Sequence, residues 1–290
     1  MVKIFSGVIT MDSPTLQLLN SSTVVALSGA LRLHVAFLFA GLRPILPDYL
    51  AFSFIVYATY TLDRTISCKE DAINRRELAG ASRNAGFAAC IVALLLGSAV
   101  LFREGIWLAP VFPFIVGYIY TRGIRIGNRK LRFKGGTGVK NVIIGITWGG
   151  TMALIVGRWC PAIGTVGVIF LFFTLKVFIT SCVNDFKDIE GDMAAGIRTL
   201  PAYLGENPTK AVLITVLVGS YAIMVAALLL SIIRDEWVLL STGFLIMLGF
   251  LLVYTPSLEQ SSRMVCRKMR EFAISWEAGV GLVFRACLAA

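Results

Sequence analysis

Residues 163–201 read IGTVGVIFLFFTLKVFITSCVNDFKDIEGDMAAGIRTLP. The stretch from Ile163 to Asn184 is apolar except for small polar residues, a terminal Asn184 and one charge, Lys176. Its length exceeds the 3–10 residues usual for a strand. It matches the roughly 20 residues that a helix needs to cross a bilayer core of about 30 Å. At Asp185 the character changes abruptly, and Asp185, Asp188, Glu190 and Asp192 follow within one short segment. The reading is a transmembrane helix that runs out of the apolar layer into an acidic end.

Working outward, eight more runs have that apolar character. They lie at about 22–42, 46–62, 85–102, 105–121, 139–157, 210–232, 236–254 and 272–289. The first is interrupted by Arg32 and His34, and the second begins with Pro47 and Asp48. Hydrophobic residues make up 57% of the 290 and charged residues 15%, with a mean hydropathy of +0.79. A soluble domain carries about 25% charged residues. A disordered chain and an ordinary soluble globule are thereby excluded. The fold expected is all-α, a polytopic membrane bundle of about nine transmembrane helices. It forms a single domain over 1–290, with 1–20 as a short cytoplasmic or interfacial N-terminal segment.

The net charge of +10 needs a location. Basic residues concentrate in the loops after the second, fourth, sixth and eighth spans. The alternate loops hold only Arg43, Arg103, Arg158 and Arg234. Positive loops stay in the cytoplasm. The N-terminus and the long polar loops are therefore expected on the cytoplasmic side of the cell membrane, with Trp107, Trp159 and Trp237 as interfacial anchors at the other. The charge is read as topology in contact with membrane lipids, and no nucleic acid is expected. The six cysteines are scattered, without a C-x-x-C pair, and His34 is the one histidine. Zinc, haem and disulfide frameworks fit poorly.

The 17 carboxylates cluster. After span two, Asp63, Ser67 and Asp71 are spaced i, i+4, i+8, one face of a continued helix. After span six, Asp185, Asp188 and Asp192 are spaced i, i+3, i+7, again one face. Like charges on one stripe repel. Either they are solvated helix ends with local ion pairs, or they hold a cation. Oxygen ligands suit Mg²⁺, which keeps waters and pairs one or two carboxylates with substrate phosphates. Between the two clusters lies the basic, glycine-rich loop TRGIRIGNRKLRFKGGTGVKN, Thr121–Asn141. Arg132, Lys134, Lys140 and Asn141 there, with Arg198, are candidate binders of a diphosphate. Positive-inside topology also accounts for any single one of these cations. Metal-binding acids, a basic loop and a membrane cavity together suggest a substrate with a diphosphate head and an apolar tail.

At these residues a family resemblance emerges. NDFKDIEGDMAAGIRTLP, Asn184–Pro201, is similar to the second Asp-rich motif of the UbiA superfamily of intramembrane prenyltransferases. Within that superfamily it looks closest to the branch that includes digeranylgeranylglyceryl phosphate synthase and chlorophyll synthase. KNVIIGITWG, Lys140–Gly149, and the nine spans agree. The resemblance implies Mg²⁺ bridging two Asp motifs to a prenyl diphosphate donor, loss of diphosphate, and attack by a lipophilic acceptor in lipid or quinone biosynthesis. Carried over, Asp63, Asp71, Asp188 and Asp192 are the catalytic acids. Asp63, Ser67, Asp71, Asp185, Asp188 and Asp192 are the metal set. Ser67 stands where the family has its central Asp, and a neutral hydroxyl is a weaker ligand for a hard ion. Glu70 is a possible substitute. Two other readings stay open: a terpene cyclase on the same fold, and a non-catalytic lipid-binding or transport protein.

Several isolated polar residues complete the reading. An intramembrane lysine such as Lys176 should face a cavity or pair with an acid. His34 is expected to pack in the bundle or face its cavity. Tyr57, Tyr60, Tyr118 and Tyr120 are expected near helix ends as an interfacial belt, where a ring face can also attract a cation.

Overall fold

A computed structural model describes residues 13–66, 74–75, 78–122, 124–126, 129–131, 137–194, 196–254 and 263–289. A helix coincides with each of the nine expected spans. They are α1 Pro14–Phe39, α2 Leu46–Thr65, α3 Arg83–Arg103, α4 Leu108–Arg122, α5 Val139–Trp159 and α6 Ile163–Ala194. A five-residue α7, Leu200–Leu204, precedes α8 Glu206–Leu229 and α9 Trp237–Val253. The last span is composite: α10 Arg263–Glu271, a π-turn Phe272–Trp276, and α11 Glu277–Ala289. A small antiparallel ribbon, β1 Ile124–Ile126 with β2 Arg129–Leu131, follows α4 and leaves the fold all-α as expected. Arg125 and Lys130 pair at its centre.

Local chemistry sets the helix starts. The Ser13 hydroxyl accepts from the Leu16 amide and Pro14 occupies the first turn, so α1 begins well before residue 22. Ser82 caps α3 in the same way, accepting from the Ala85 amide at 3.3 Å. Gly138 precedes α5 with φ +73°, a conformation that costs glycine nothing. Among the described residues five helices, α1, α3, α5, α6 and α8, are long and apolar enough to cross a membrane; α9 and most of α4 are shorter apolar helices. At 32 residues α6 is about 48 Å long, well beyond a bilayer core. Its C-terminal turns therefore project past the apolar layer and carry the acids.

The pair α5–α6 positions those acids. Gly145 and Gly149, spaced four apart on α5, face Thr174 and Phe170 of α6. A Cβ built on Gly149 would sit 2.7 Å from the Thr174 amide nitrogen and 2.9 Å from the Phe170 carbonyl oxygen. Only glycine permits this backbone approach, the small-xxx-small device of membrane helices. The close crossing brings the first turn of α5 against the last turns of α6. The core between the helices is apolar, with Phe37, Phe39, Phe52, Met152, Phe172 and Phe173 almost fully buried.

The opposite end of the bundle is tied by polar contacts. Trp159, expected as an interfacial anchor, donates through Nε1 to the buried Asp48 at 2.7 Å. Arg285 on α11 forms a two-point ion pair with the buried Glu236, with separations of 2.6 and 2.7 Å. The Arg234 amide donates to the Phe39 carbonyl, joining the α8–α9 turn to the end of α1.

Candidate active site

Lys140 and Asn141 open α5, and both are buried. The Lys140 ammonium lies 2.7 Å from Asp185 Oδ1 and 3.2 Å from Asp192 Oδ2. The other Asp185 oxygen accepts from Asn141 Nδ2 at 2.9 Å, and the same amide donates to Ser181 Oγ at 3.0 Å. Asp185 and Asp192 are 3% and 2% exposed, so these are not solvated helix ends. Two carboxylates converge on one ammonium here, in a water-poor setting. Asn141 Oδ1 is also buried, without a hydrogen-bond partner among the described residues, beside Asp185.

The third acid of the stripe behaves differently. Asp188 pairs with the neighbouring Lys187 at 3.0 Å, and its side chain is about one-fifth exposed. Its backbone carbonyl accepts from Asn74 Nδ2 at 3.4 Å. The Asn74 side chain also packs directly over Gly191, where a Cβ would overlap it. Asn74 is thus docked on the acidic end of α6. Asp63, in the last turn of α2, pairs with Arg75 at 2.9 Å. Arg64 lies over the Tyr60 ring at 5.6 Å, and that ring stacks on Trp148 of α5 at 5.8 Å.

The expected site residues divide accordingly. Lys140, Asn141, Asp185 and Asp192 converge. Asp63 and Asp188 occupy neighbouring helix ends, each held by its own cation. Arg198 is exposed and forms no ion pair among the described residues. Ser67, Glu70, Asp71, Arg132 and Lys134 lie outside the described residues. Among the described residues no three carboxylate, histidine or cysteine side chains approach closely enough to bind a metal by themselves. The donors present are nevertheless the right kind. Carboxylate oxygens and the unpartnered Asn141 carbonyl suit a hard divalent cation such as Mg²⁺.

A second charged cluster lies deeper. Lys176 pairs with Glu277 at 2.6 Å and donates to the Tyr221 hydroxyl at 3.4 Å. Arg32 on α1 donates to the Ile274 carbonyl within the π-turn, where the widened helix leaves carbonyls to be satisfied from outside. The expectation that Lys176 pairs with an acid or faces a cavity is met on both counts. With Arg32, Tyr221 and Glu277 it lines a small cavity between α1, α6, α8, α9 and α11. Sequence reading had not singled out Glu277, although an acid within the last span and an unexplained lysine in the sixth were the available signal. His34 packs inside the bundle, its Nδ1 2.9 Å from the Tyr49 hydroxyl.

The fold and site define a helical membrane bundle with a buried carboxylate–lysine centre at one end. Residues 23–275 match the UbiA prenyltransferase family, and the chain belongs to that family. It is an integral membrane protein. Digeranylgeranylglyceryl phosphate synthase from two strains of Halobacterium salinarum is 31% identical over 146 residues, 49% of this chain and 49% of the relative. The chain thus matches about half the length of those curated relatives. A UbiA homolog from Aeropyrum pernix K1, in its apo form, superposes with a TM-score of 0.61 at 12% identity, covering 91% of this chain and 98% of that one. A UbiA homolog from Archaeoglobus fulgidus bound to GPP and Mg²⁺ superposes with a TM-score of 0.60 at 17% identity, covering 93% and 100%. A structure of a digeranylgeranylglyceryl phosphate synthase gives 0.57 at 17% identity, covering 92% and 97%.

Proposed function

We propose that the protein is a membrane prenyltransferase that moves a polyprenyl group from a prenyl diphosphate to a lipophilic acceptor. In this reading Asp63, Asp71, Asp185, Asp188 and Asp192 hold Mg²⁺, with Ser67 as a weak neutral ligand. Bound Mg²⁺ would neutralise charge on the departing diphosphate. Lys140, Asn141, Arg132, Lys134 and Arg198 supply positive charge and donors to the same oxygens. The apolar tail lies between the helices, and the polar end faces the cytoplasm at the cell membrane. The name of the Halobacterium relatives favours a glyceryl phosphate lipid as the acceptor class.

One observation carries the reading: two buried carboxylates, one helical turn-pair apart on α6, are gathered around a single buried lysine. Family membership over most of the chain supports it. The test is release of diphosphate from a prenyl diphosphate by the purified protein with Mg²⁺. Alanine at Asp188 or Asp192 is expected to abolish it, and full activity in both variants refutes the assignment. Product analysis with donor alone decides the alternative outcome, because a cyclic hydrocarbon formed without acceptor identifies a cyclase.

A further inference from the structure

The interior cluster around Lys176 takes no part in the proposed reaction. Glu277 Oε1 accepts from the Lys176 ammonium at 2.6 Å, while Glu277 Oε2 is buried and accepts from no described residue. The Tyr221 hydroxyl accepts from Lys176 at 3.4 Å and gives its own proton to no described residue. Arg32 makes one hydrogen bond among the described residues, to the Ile274 carbonyl. Glu277, Tyr221 and Lys176 are 3%, 6% and 7% exposed, so little bulk solvent reaches them. An unused acceptor and unused donors thus line one cavity. A buried carboxylate oxygen left in that condition is costly.

The cavity limits what can answer them. Its volume of about 10 Å³ suits one water-sized group and is too small for a phosphate. Glu277 already has the Lys176 cation at 2.6 Å and the Arg32 charge within electrostatic reach. What Oε2 lacks is therefore a hydrogen-bond donor, not a counter-ion. An anion would meet it with like charge. A hydroxyl can donate to Oε2 and accept from Arg32 or Tyr221 at the same time. Gly243 of α9 leaves the cluster its room: a Cβ built there would collide with Glu277 Oε1 and stand 2.6 Å from the Tyr221 hydroxyl oxygen. We propose that this cavity binds one hydroxyl group in the interior of the bundle, held by Glu277 Oε2 together with Arg32 or Tyr221. The hydroxyl belongs to a water molecule or to a lipid alcohol, which present the same donor and acceptor.

The site uses none of the residues assigned to metal or diphosphate, so its failure leaves that assignment untouched. The test is a crystal structure of the full chain at a resolution that shows ordered water, determined once without added lipid and once with a prenyl alcohol. A discrete density peak within about 2.5–3.0 Å of Glu277 Oε2 is expected. A peak isolated in both crystals identifies water. A peak continuous with an apolar chain in the second identifies the alcohol. Lys176→Leu combined with Glu277→Leu is expected to abolish the peak. No peak within hydrogen-bond distance of Oε2 in either crystal overturns the proposal, and so does a peak that stays in place in the double variant.

Discussion

Two lysine–carboxylate clusters sit on α6, nine residues apart and about 14 Å along its axis. At the acidic end one ammonium, Lys140, serves two carboxylates. In the interior Lys176 serves one, Glu277, and Arg32 lies within electrostatic reach of the same acid. In the first, two acids converge on one lysine; in the second, two cations lie near one acid. Gathered carboxylates make a place suited to a divalent cation. An acid matched by cations makes a clamp, here joining α6 to α11 across the apolar core. The same residue types thus do different work according to their stoichiometry.

The largest separation is expected from Asp192→Asn. Turnover should fall by about 100-fold or more, as when one preorganised electrostatic group is removed. The thermal midpoint should fall less than in variants of the interior cluster, because the substitution keeps the side chain's volume and removes one of two neighbouring like charges. A variant that loses stability and keeps its turnover would exchange the roles of the two clusters. Glu277→Gln or Lys176→Met should do the opposite. Breaking a buried pair from one side costs about 3–5 kcal/mol, whereas replacing both partners by leucine should recover most of it. Thermal unfolding in detergent measures both, and single variants as stable as wild type would refute the clamp.

The helix crossing that connects the clusters gives the next effect. Gly149→Leu should cost about 1–3 kcal/mol through overpacking against Thr174. It should also raise the KM for the donor, since Lys140 is then displaced from α6. Kinetics with a stability control separates the two consequences. Arg198→Ala is expected to matter least. An exposed side chain outside any ion pair among the described residues should change stability by no more than about 0.5 kcal/mol, with only a modest rise in donor KM.

The spans and the acidic end of α6 were legible because they are local. Apolar runs of the right length and the change of character at Asp185 can be read along the chain. Lys140 and Asn141 were legible as candidates through their place in a basic, glycine-rich loop. Their convergence on Asp185 and Asp192 was not, because it depends on how α5 crosses α6. The Gly145-x-x-x-Gly149 spacing was an available signal of that crossing, and the sequence reading did not use it. The Lys176–Glu277 pair joins residues from two distant spans, and no periodicity links them. Trp159 read as an interfacial anchor because aromatic residues collect at membrane edges. Its bond to Asp48 required the third dimension. Asp188 looked equivalent to its neighbours on a helical stripe. In space it turns outward to Lys187.

The most direct test is a crystal or cryo-EM structure of the protein with Mn²⁺ and a non-hydrolysable prenyl diphosphate analogue, with the metal located by anomalous scattering. The account predicts metal held by the acids of α6, Asp185 and Asp192 among them, with the Lys140 ammonium within hydrogen-bond reach of a diphosphate oxygen. Metal bound elsewhere, with Lys140 still bridging the two carboxylates, would contradict it.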